Sequence, residues 1–430
     1  MKPIQRDLYL NQLIERKDNG LVKIITGIRR CGKSYLLFHL YRDYLLSVGV
    51  DDSHIIQLAL DEDKNRKYRK PDNLAKFLNT SIKNDSESFY IFLDEVQFAI
   101  SKKELKSKEP IRLYGILNEL IHRGNVDVYV TGSNSKFLSS DVMTEFRGRG
   151  DEVRVYPLSF AEFMSAYQGD KYDGFSEYST YGGLPLILDR KTETAKIKYL
   201  SDLFNTVYVK DISERHHLKN PMLMDNLLNI VSSSVGSLTN PLKLANTFSS
   251  NGMKVSEKTV SSYIDHLIDA FVLTKAERYD IKGKRHINSP YKYYFSDIGL
   301  RNARLNFRQQ EQPHILENLI YNELIVRGYN VDIGIVEKNI RDESGKQKSI
   351  QYEVDFVCNL GSKRYYIQSA FSIPDSQKME QERTPLLRIN DSFKKFIIVQ
   401  DHVKTWQDEN GFIIMNVLDF LLNPDSLNYN

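Results

Sequence analysis

The chain reads Thr26-Gly27-Ile28-Arg29-Arg30-Cys31-Gly32-Lys33-Ser34-Tyr35-Leu36 a short distance from its first residue. Residues 27–34 of this stretch fit the pattern G-x-x-x-x-G-K-[ST] at every fixed position. The apolar run at 21–25 predicts a buried strand before the loop, and apolar residues at helical spacing from 36 to 45 predict a helix after it. Strand, glycine loop and helix are the context in which this pattern indicates a phosphate-binding loop rather than a chance match in a glycine turn.

The residue types of the loop suit a bound triphosphate. Backbone N–H groups at a helix N-terminus converge on phosphate oxygens, and Gly27 and Gly32 permit backbone dihedrals that a side chain would block. We expect Lys33 to reach the β- and γ-phosphates and the hydroxyl of Ser34 to ligate Mg²⁺. The residues predicted to contact ATP are Gly27, Ile28, Arg29, Arg30, Cys31, Gly32, Lys33, Ser34 and Tyr35.

A second segment has the form that a nucleotide-hydrolysing site requires. The apolar run 89–93 predicts a strand, and Asp94 and Glu95 follow it directly. Asp94 is expected to hold Mg²⁺ through water, and Glu95 to act as the general base toward the attacking water. An acidic pair at a strand end is common on its own, but together with the phosphate loop it predicts that the chain binds ATP and Mg²⁺ and hydrolyses ATP.

Length and composition narrow the class of protein. A length of 430 residues suggests about three domains, and 41% hydrophobic with 27% charged residues is a globular composition. The net charge of +3 is too small to favour nucleic acid by itself, so any basic surface must be local. Two cysteines, Cys31 and Cys358, are too few for a disulfide framework. With no signal-peptide pattern and no apolar run of about 20 residues, we expect a cytoplasmic protein without a membrane span.

Alternating strands and helices predict a doubly wound, parallel α/β core over residues 1–160, with its site at the carboxyl ends of the strands. Ser133 follows the fourth predicted strand, where its side chain can sense the γ-phosphate. Arg147 and Arg149 could reach a neighbouring subunit's γ-phosphate in a homo-oligomer, or simply lie in a solvated turn. The predicted strands are 21–26, 54–60, 89–93, 126–131 and 151–156, with helices at 73–83 and 111–122.

The chain contains seven motifs whose residues and order resemble those of a family of bacterial and archaeal AAA-type ATPases with a C-terminal domain of unknown function. The resemblance covers nearly the whole chain and implies ATP use, with a helical lid at 161–220. In related ATPases a Gly-x-Pro of the lid lies against the nucleotide; Gly183 and Pro185 match it, although a simple helix-breaking turn would also fit. The motifs are residues 27–34, Asp94-Glu95-Val96-Gln97, Thr131-Gly132-Ser133, Gly148-Arg149, Pro157-Leu158-Ser159-Phe160-Ala161-Glu162-Phe163, Gly182-Gly183-Leu184-Pro185 and Tyr294-Phe295-Ser296-Asp297-Ile298-Gly299-Leu300.

Residues 221–300 predict three helices and a β-hairpin, the elements of a winged helix, which the resemblance also implies. The segment 272–292 has six basic and two acidic residues. Lys282, Lys284 and Arg285 cluster at the predicted wing tip, where they could meet DNA phosphates. A solvated hairpin, or a wing that only packs on the lid, is the alternative interpretation.

Residues 301–430 resemble the restriction-endonuclease-like fold in the order helix, hairpin, strand. Glu317 and Asp355 match metal-binding acids of that fold, but Gln368 and Ala370 stand where Glu-x-Lys is required. A neutral amide is a poorer Mg²⁺ ligand than a carboxylate, and alanine cannot orient water. Nuclease activity is therefore not expected, and Glu317 and Asp355 could simply bridge a helix and a strand.

The leading functional hypothesis is an ATPase that couples its nucleotide cycle to DNA binding or remodelling. One alternative is an ATP-dependent regulatory switch that acts through protein partners. The other is an ATP-coupled nuclease, which the residues at 368 and 370 weaken. The predicted fold is α/β throughout: a P-loop parallel sheet (1–160), a helical lid (161–220), a winged helix (221–300) and a restriction-endonuclease-like domain (301–430).

Overall fold

The computed structural model describes residues 3–82, 87–101, 103–104, 110–132, 150–209, 212–213, 218, 220–341 and 347–429. It forms two compact units. The N-terminal unit consists of residues 2–157 with 269–271, and the C-terminal unit of 158–268 and 272–430. The division between them lies close to the predicted end of the α/β core at residue 160.

The N-terminal unit is built on a five-stranded parallel sheet in the order β2-β3-β4-β1-β5. All residues of β1, β3 and β4 are buried, as expected of parallel strands covered on both faces. The predicted strands and the doubly wound α/β core are confirmed. The strands are β1 (Val22–Thr26), β2 (Ile55–Ala59), β3 (Phe89–Asp94), β4 (Val126–Thr131) and β5 (Gly150–Arg154). The α-helices are α1 (Asp7–Glu15), α2 (Lys33–Tyr35), α3 (Arg42–Ser47), α4 (Pro71–Ser81) and α5 (Arg112–Ile121).

The helix that follows the glycine loop is interrupted by a π-helical turn, Leu36–Tyr41, between α2 and α3. The turn packs the Tyr41 ring 4.9 Å from that of Tyr129, and the two hydroxyls lie 2.5 Å apart. The Tyr129 hydroxyl donates to Asp127 at 2.7 Å, and Asp127 also pairs with Lys23. This network supplies the hydrogen bonds and countercharge that a lysine buried in a central strand requires.

The C-terminal unit contains an eight-stranded mixed sheet in the order β12-β13-β11-β10-β9-β8-β6-β7. The α/β class predicted for this half of the chain is confirmed. Its strands are β6 (Leu273–Asp280), β7 (Arg285–Phe295), β8 (Asn330–Arg341), β9 (Gln347–Leu360), β10 (Lys363–Ala370), β11 (Lys394–Val399), β12 (Trp406–Gln407) and β13 (Ile413–Asn416). Its α-helices are α6 (Phe160–Ala166), α7 (Lys171–Tyr181), α8 (Glu193–Asp202), α9 (Pro221–Ser233), α10 (Pro241–Ser250), α11 (Glu257–Asp269), α12 (Ile298–Arg304), α13 (Gln312–Val326), α14 (Ser376–Leu387) and α15 (Val417–Leu422).

The hairpin β6–β7 joins the part of the chain predicted as a winged helix to the rest of this sheet. Strand β7 pairs with β6, and an isolated bridge links Thr239 to Tyr291. Strand β6 also pairs in parallel with β8, with Arg278 opposite Ile333. The boundary proposed at residues 300/301 therefore lies between strands of one continuous sheet. Strand periodicity in the sequence predicts the hairpin, but it does not show that β6 also pairs with β8.

Helix α13 lies at the centre of the C-terminal unit. Buried residues occur on all its sides, which is typical of a core helix. Asn318 fixes it to the end of β7, because its side chain accepts from the Phe295 N–H at 2.9 Å and donates to the Phe295 carbonyl at 2.8 Å. Among the described residues, the helices lack the combination of length and apolar character that crossing a bilayer requires.

Candidate nucleotide-binding site

The glycine loop closes directly against the chain that follows β5. Gly27 has a φ of +138°, and a Cβ built on it would lie 2.0 Å from the Val155 carbonyl oxygen. Cys31 is buried, with its Sγ 3.4 Å from the same oxygen. Gly32, at φ +102°, begins the helix in the left-handed region. Glycine is required at the first position by space and at the second by conformation.

Arg6 supports the loop from the segment before α1, a segment in which the sequence predicts no site residue. Its guanidinium donates to the Cys31 carbonyl at 2.9 Å and to the Tyr156 carbonyl at 2.7 Å. The side chain is buried, with 4% of the residue's surface exposed. An arginine near the start of the chain gives no local pattern, so this contact could not be predicted from periodicity.

The Lys33 ammonium lies inside the loop. It donates to the Gly27 carbonyl at 2.9 Å and to the Ile28 carbonyl at 3.1 Å, and 4% of the residue is exposed. An ammonium has three donors, so a third hydrogen bond can be made to a phosphate oxygen. Both partners are neutral carbonyl groups, so they do not compensate the positive charge of Lys33.

The other predicted loop contacts differ in exposure. Ile28 is buried and Arg29 is half-buried, whereas Arg30, Ser34 and Tyr35 are exposed. A buried Ile28 and Cys31 could contribute to a nucleotide site only through their backbone groups.

Ser34 and Asp94, the two predicted metal ligands, are brought together at the carboxyl ends of the parallel strands. Asp94 is 5% exposed, and burial raises the pKa of its carboxyl group. Hydrogen bonds from Thr131 and Ser34 and the positive charge of Lys33 oppose that increase. A buried carboxylate next to a serine hydroxyl and a lysine is a donor set that suits Mg²⁺ and phosphate.

Glu95 turns the chain sharply at the end of β3. Its φ of +53° places a non-glycine residue in the left-handed region, a conformation found preferentially at functional sites. The Glu95 N–H donates to the Thr131 hydroxyl oxygen at 3.1 Å, and Gln97 donates from its side chain to the Glu95 carboxylate. These contacts orient the residue that the sequence predicts as the general base.

Thr131 links the two acidic residues. Its hydroxyl donates to Asp94 and accepts the Glu95 N–H. Sequence reasoning selected the segment at the end of the fourth strand but named Ser133 rather than Thr131. The role of Thr131 follows only from the pairing of β3 with β4, which places the last residue of β4 beside the end of β3.

Comparisons with known proteins agree with this geometry. Residues 19–164 match a family model described as an AAA domain, and residues 172–311 match a domain of unknown function. An uncharacterised protein of Haemophilus influenzae is 32% identical over 424 residues, which cover 97% of this chain and 98% of that protein.

The chain belongs to the AAA-type ATPases with a C-terminal domain of unknown function. This was the resemblance found in the motifs. An uncharacterised protein of Methanocaldococcus jannaschii is 27% identical over 436 residues, covering 97% of this chain and 88% of that protein. The P-loop fold of the family implies nucleotide binding.

Two solved structures show a more distant likeness to this AAA-type ATPase. A Walker-type ATPase of Pyrococcus abyssi has a TM-score of 0.48 at 16% identity, covering 70% of this chain and 96% of that one. The Aeropyrum pernix ORC1 protein in complex with DNA has a TM-score of 0.30 at 14% identity, covering 73% and 94%. Neither TM-score reaches 0.5, so these structures do not bear on substrate or partner.

Three predicted catalytic residues of the AAA-type ATPase, Ser133, Arg147 and Arg149, lie outside the described residues. Their roles stay predictions. The same holds for the contact of Gly183 and Pro185 with nucleotide, since both belong to the C-terminal unit.

Within that unit, two of the motifs that carried the resemblance contact each other. Gly183 donates its N–H to Asp297 at 2.7 Å, and a Cβ on Gly182 would lie 2.3 Å from the same carboxylate. Asp297 also caps α12 by accepting the Leu300 N–H at 3.1 Å. Burial raises the pKa of Asp297 to about 6, although these backbone donors act in the opposite direction.

The basic residues of the hairpin tip, Lys282, Lys284 and Arg285, are exposed. Lys282 donates to the Glu337 carbonyl at 3.1 Å, and the Arg285 guanidinium lies 3.6 Å from Asp280. The exposed side chains of α11 include Glu257, Lys258 and Asp265, which is a mixed charge pattern. The hairpin tip is therefore more basic than α11, the helix that precedes the hairpin in the sequence.

Proposed function

We propose that this protein hydrolyses ATP at the loop between β1 and α2. The observation that best supports the proposal is the convergence of Ser34, Asp94 and Thr131 through hydrogen bonds, beside a lysine whose ammonium donates to two loop carbonyls. Bound Mg²⁺ would supply neutralisation of the charge on the phosphates. The residues that would hold it are Ser34 and Asp94.

The remaining chemistry is assigned to the protein's own groups. The loop N–H groups and Lys33 bind and orient the phosphates, which is the main contribution that proteins make to phosphoryl transfer. Glu95 accepts the proton of the attacking water. Thr131 and Gln97 hold Glu95 in place, through its N–H and its carboxylate respectively.

Replacing the base by its neutral isostere tests the proposal. Glu95→Gln should bind ATP as the wild type does, because Lys33 and Asp94 are unchanged, while single-turnover hydrolysis falls about 10²-fold or more. Glu119→Gln, an exposed change on α5, serves as the matched control and should hydrolyse normally. A Glu95→Gln rate close to that of the wild type would remove Glu95 from the mechanism.

We further propose that the nucleotide cycle is coupled to DNA through the hairpin tip. The exposed cluster of Lys282, Lys284 and Arg285 supports this interpretation, because exposed basic side chains can contact DNA phosphates. Duplex DNA at low salt should then stimulate hydrolysis. Changing all three residues to glutamine should abolish the stimulation and leave basal hydrolysis intact.

A matched control for charge is the triple change of Lys64, Arg66 and Lys67, three exposed residues of the N-terminal unit, to glutamine. If both triple variants respond to DNA equally, the hairpin tip does not bind it. Hydrolysis that is indifferent to DNA in the wild type would instead favour the regulatory switch. The slope of log affinity against log salt should fall by about 0.9 for each DNA phosphate that a variant no longer neutralises.

A further inference from the structure

Three carboxylates of the C-terminal unit surround a single ammonium group. Lys292, on β7, has its Nζ 2.8 Å from Glu317 Oε1 and 2.8 Å from Glu353 Oε1. The same nitrogen lies 4.0 Å from Asp355 Oδ1. Glu317 comes from α13, and Glu353 and Asp355 come from β9, so the lysine joins three separate elements.

Three of the four side chains in the cluster are closed to solvent, whereas 34% of the Glu353 side chain is exposed. Lys292 is 4% exposed, Glu317 8% and Asp355 9%. Burial alone lowers the pKa of Lys292, but the charges of Glu317, Asp355 and Glu353 outweigh it, and the net pKa is raised. A lysine buried in this way stays charged only because carboxylates surround it.

Two groups besides Lys292 donate to these carboxylates, to Oε1 of Glu317 and to Oδ2 of Asp355. The Tyr294 hydroxyl donates to Glu317 at 2.6 Å, and the Ser369 N–H donates to Asp355 at 2.7 Å. Gln368 turns its side-chain oxygen toward the Asp355 N–H, at 3.4 Å. In the part of the chain that the structure describes, no three acidic, histidine or cysteine side chains are arranged to hold a metal ion.

We propose that Lys292 is the resident cation of this cluster and occupies the position between Glu317, Glu353 and Asp355 that a divalent cation would need. One oxygen of Glu317 and one of Glu353 lie 2.8 Å from the ammonium, the distance of an N–H···O hydrogen bond, so the position between the carboxylates is filled and already carries a positive charge. The C-terminal unit accordingly takes no catalytic metal, and the cluster connects the hairpin to α13 and β9. The inference is independent of the proposed ATPase activity.

The test is to remove the charge and offer a metal. Lys292→Met retains the length of the side chain without its ammonium. Binding of Mn²⁺ is measured by electron paramagnetic resonance in the absence of nucleotide, and unfolding by temperature. The variant should unfold at least about 5 °C below the wild type, because breaking a buried pair leaves uncompensated charge. It should also gain a Mn²⁺ site that disappears when Asp355→Asn is added.

Lys275→Met is the matched control, since Lys275 lies on the same hairpin and pairs with Glu277 at 2.8 Å in a more exposed setting. It should gain no Mn²⁺ site and lose little stability. If Lys292→Met does not fold, the double variant with Glu317→Gln removes one charge of each sign and should fold. Failure of that double variant to recover would contradict the proposal.

Two results in the wild type would overturn the inference directly. One is stoichiometric Mn²⁺ binding that Asp355→Asn abolishes. The other is cleavage of linear, circular or branched DNA in Mg²⁺ or Mn²⁺ that the same substitution abolishes. A Lys292→Met protein as stable as the wild type and without a new metal site would also overturn it.

Discussion

The hydroxyl of Thr131 is hydrogen-bonded to both acidic residues of the candidate nucleotide site, Asp94 and Glu95. It donates to one carboxylate and accepts the backbone N–H of the next residue, so a single atom fixes Asp94 and Glu95 relative to each other. A threonine has no charge, and although Thr131 belongs to one of the motifs that carried the resemblance, that motif predicts no role for its hydroxyl. Its importance follows from strand pairing, which the residue types alone do not specify.

Thr131→Val tests this at nearly constant volume. The variant should fold and bind ATP, but hydrolysis should fall about 10- to 100-fold, because a hydrogen bond to a charged group contributes about 1.5–3 kcal/mol. Thr80→Val on α4, where the hydroxyl bonds the Lys76 carbonyl at 2.7 Å, is the control. Rates and ATP affinities are compared by single-turnover assay and calorimetry. Equal rates in the two variants would show that the Thr131 hydroxyl has no part in turnover.

At the scale of elements, Asp297 joins the Gly182–Gly183 turn to the start of α12. Its carboxylate is buried, with backbone N–H groups of Gly183 and Leu300 as donors. Because its pKa rises from 3.8 to about 6 on folding, the folded state binds the proton more tightly than the unfolded state. Its contribution to the free energy of unfolding is therefore largest below pH 4 and decreases as the pH rises toward 6.

Asp297→Asn should remove this dependence. Between pH 4 and pH 7 the advantage of the wild type over the variant should shrink by up to about 3 kcal/mol, the equivalent of two pKa units. Asp375→Asn, at the exposed N-cap of α14, controls for the loss of a capping carboxylate. Denaturant unfolding at several pH values gives the comparison. A constant difference across that range would mean that Asp297 does not titrate there.

Elements could be predicted where their signal is local. Apolar runs located β1 to β5 and β6 to within one or two residues, whereas β7, predicted over 291–295, begins six residues earlier at Arg285. The parallel pairing of β6 with β8 could not be predicted, because the paired residues lie 55 positions apart and either edge of the hairpin could have stayed unpaired. For the same reason Lys292 was counted with the basic residues of the wing, whereas the structure buries it among acids.

At the scale of the whole molecule, two buried lysines that lie beside predicted functional residues, Lys33 and Lys292, differ in the groups bonded to them. Lys33 is bonded to neutral carbonyls, so its charge can attract an anionic ligand. Lys292 is bonded to carboxylates, so its charge is already compensated. The contrast supports the two proposals that the N-terminal unit binds the anionic ligand and that the acid cluster of the C-terminal unit has a structural role.

If the protein is a homo-oligomer whose active site is shared between neighbouring subunits, the hydrolysis rate of mixtures of two inactive variants can be predicted. Lys33→Ala removes the phosphate-binding lysine, and Arg149→Ala removes the predicted finger; each protein alone should be inactive. If Arg149 acts on the neighbour's nucleotide, an intact site forms wherever an Arg149→Ala subunit faces a Lys33→Ala subunit in the right order. In a head-to-tail ring mixed at equal amounts, this is about a quarter of the interfaces.

Hydrolysis should therefore recover to about a quarter of the wild-type rate at equal mixing and fall on both sides of that ratio. The Lys33→Ala/Arg149→Ala double variant mixed with Lys33→Ala is the control and should stay inactive, since neither protein provides an intact loop. Repeating the experiment with Arg147→Ala tells which arginine acts. Mixed oligomers confirmed by native mass spectrometry that show no recovery at any ratio would exclude a finger supplied by the neighbouring subunit.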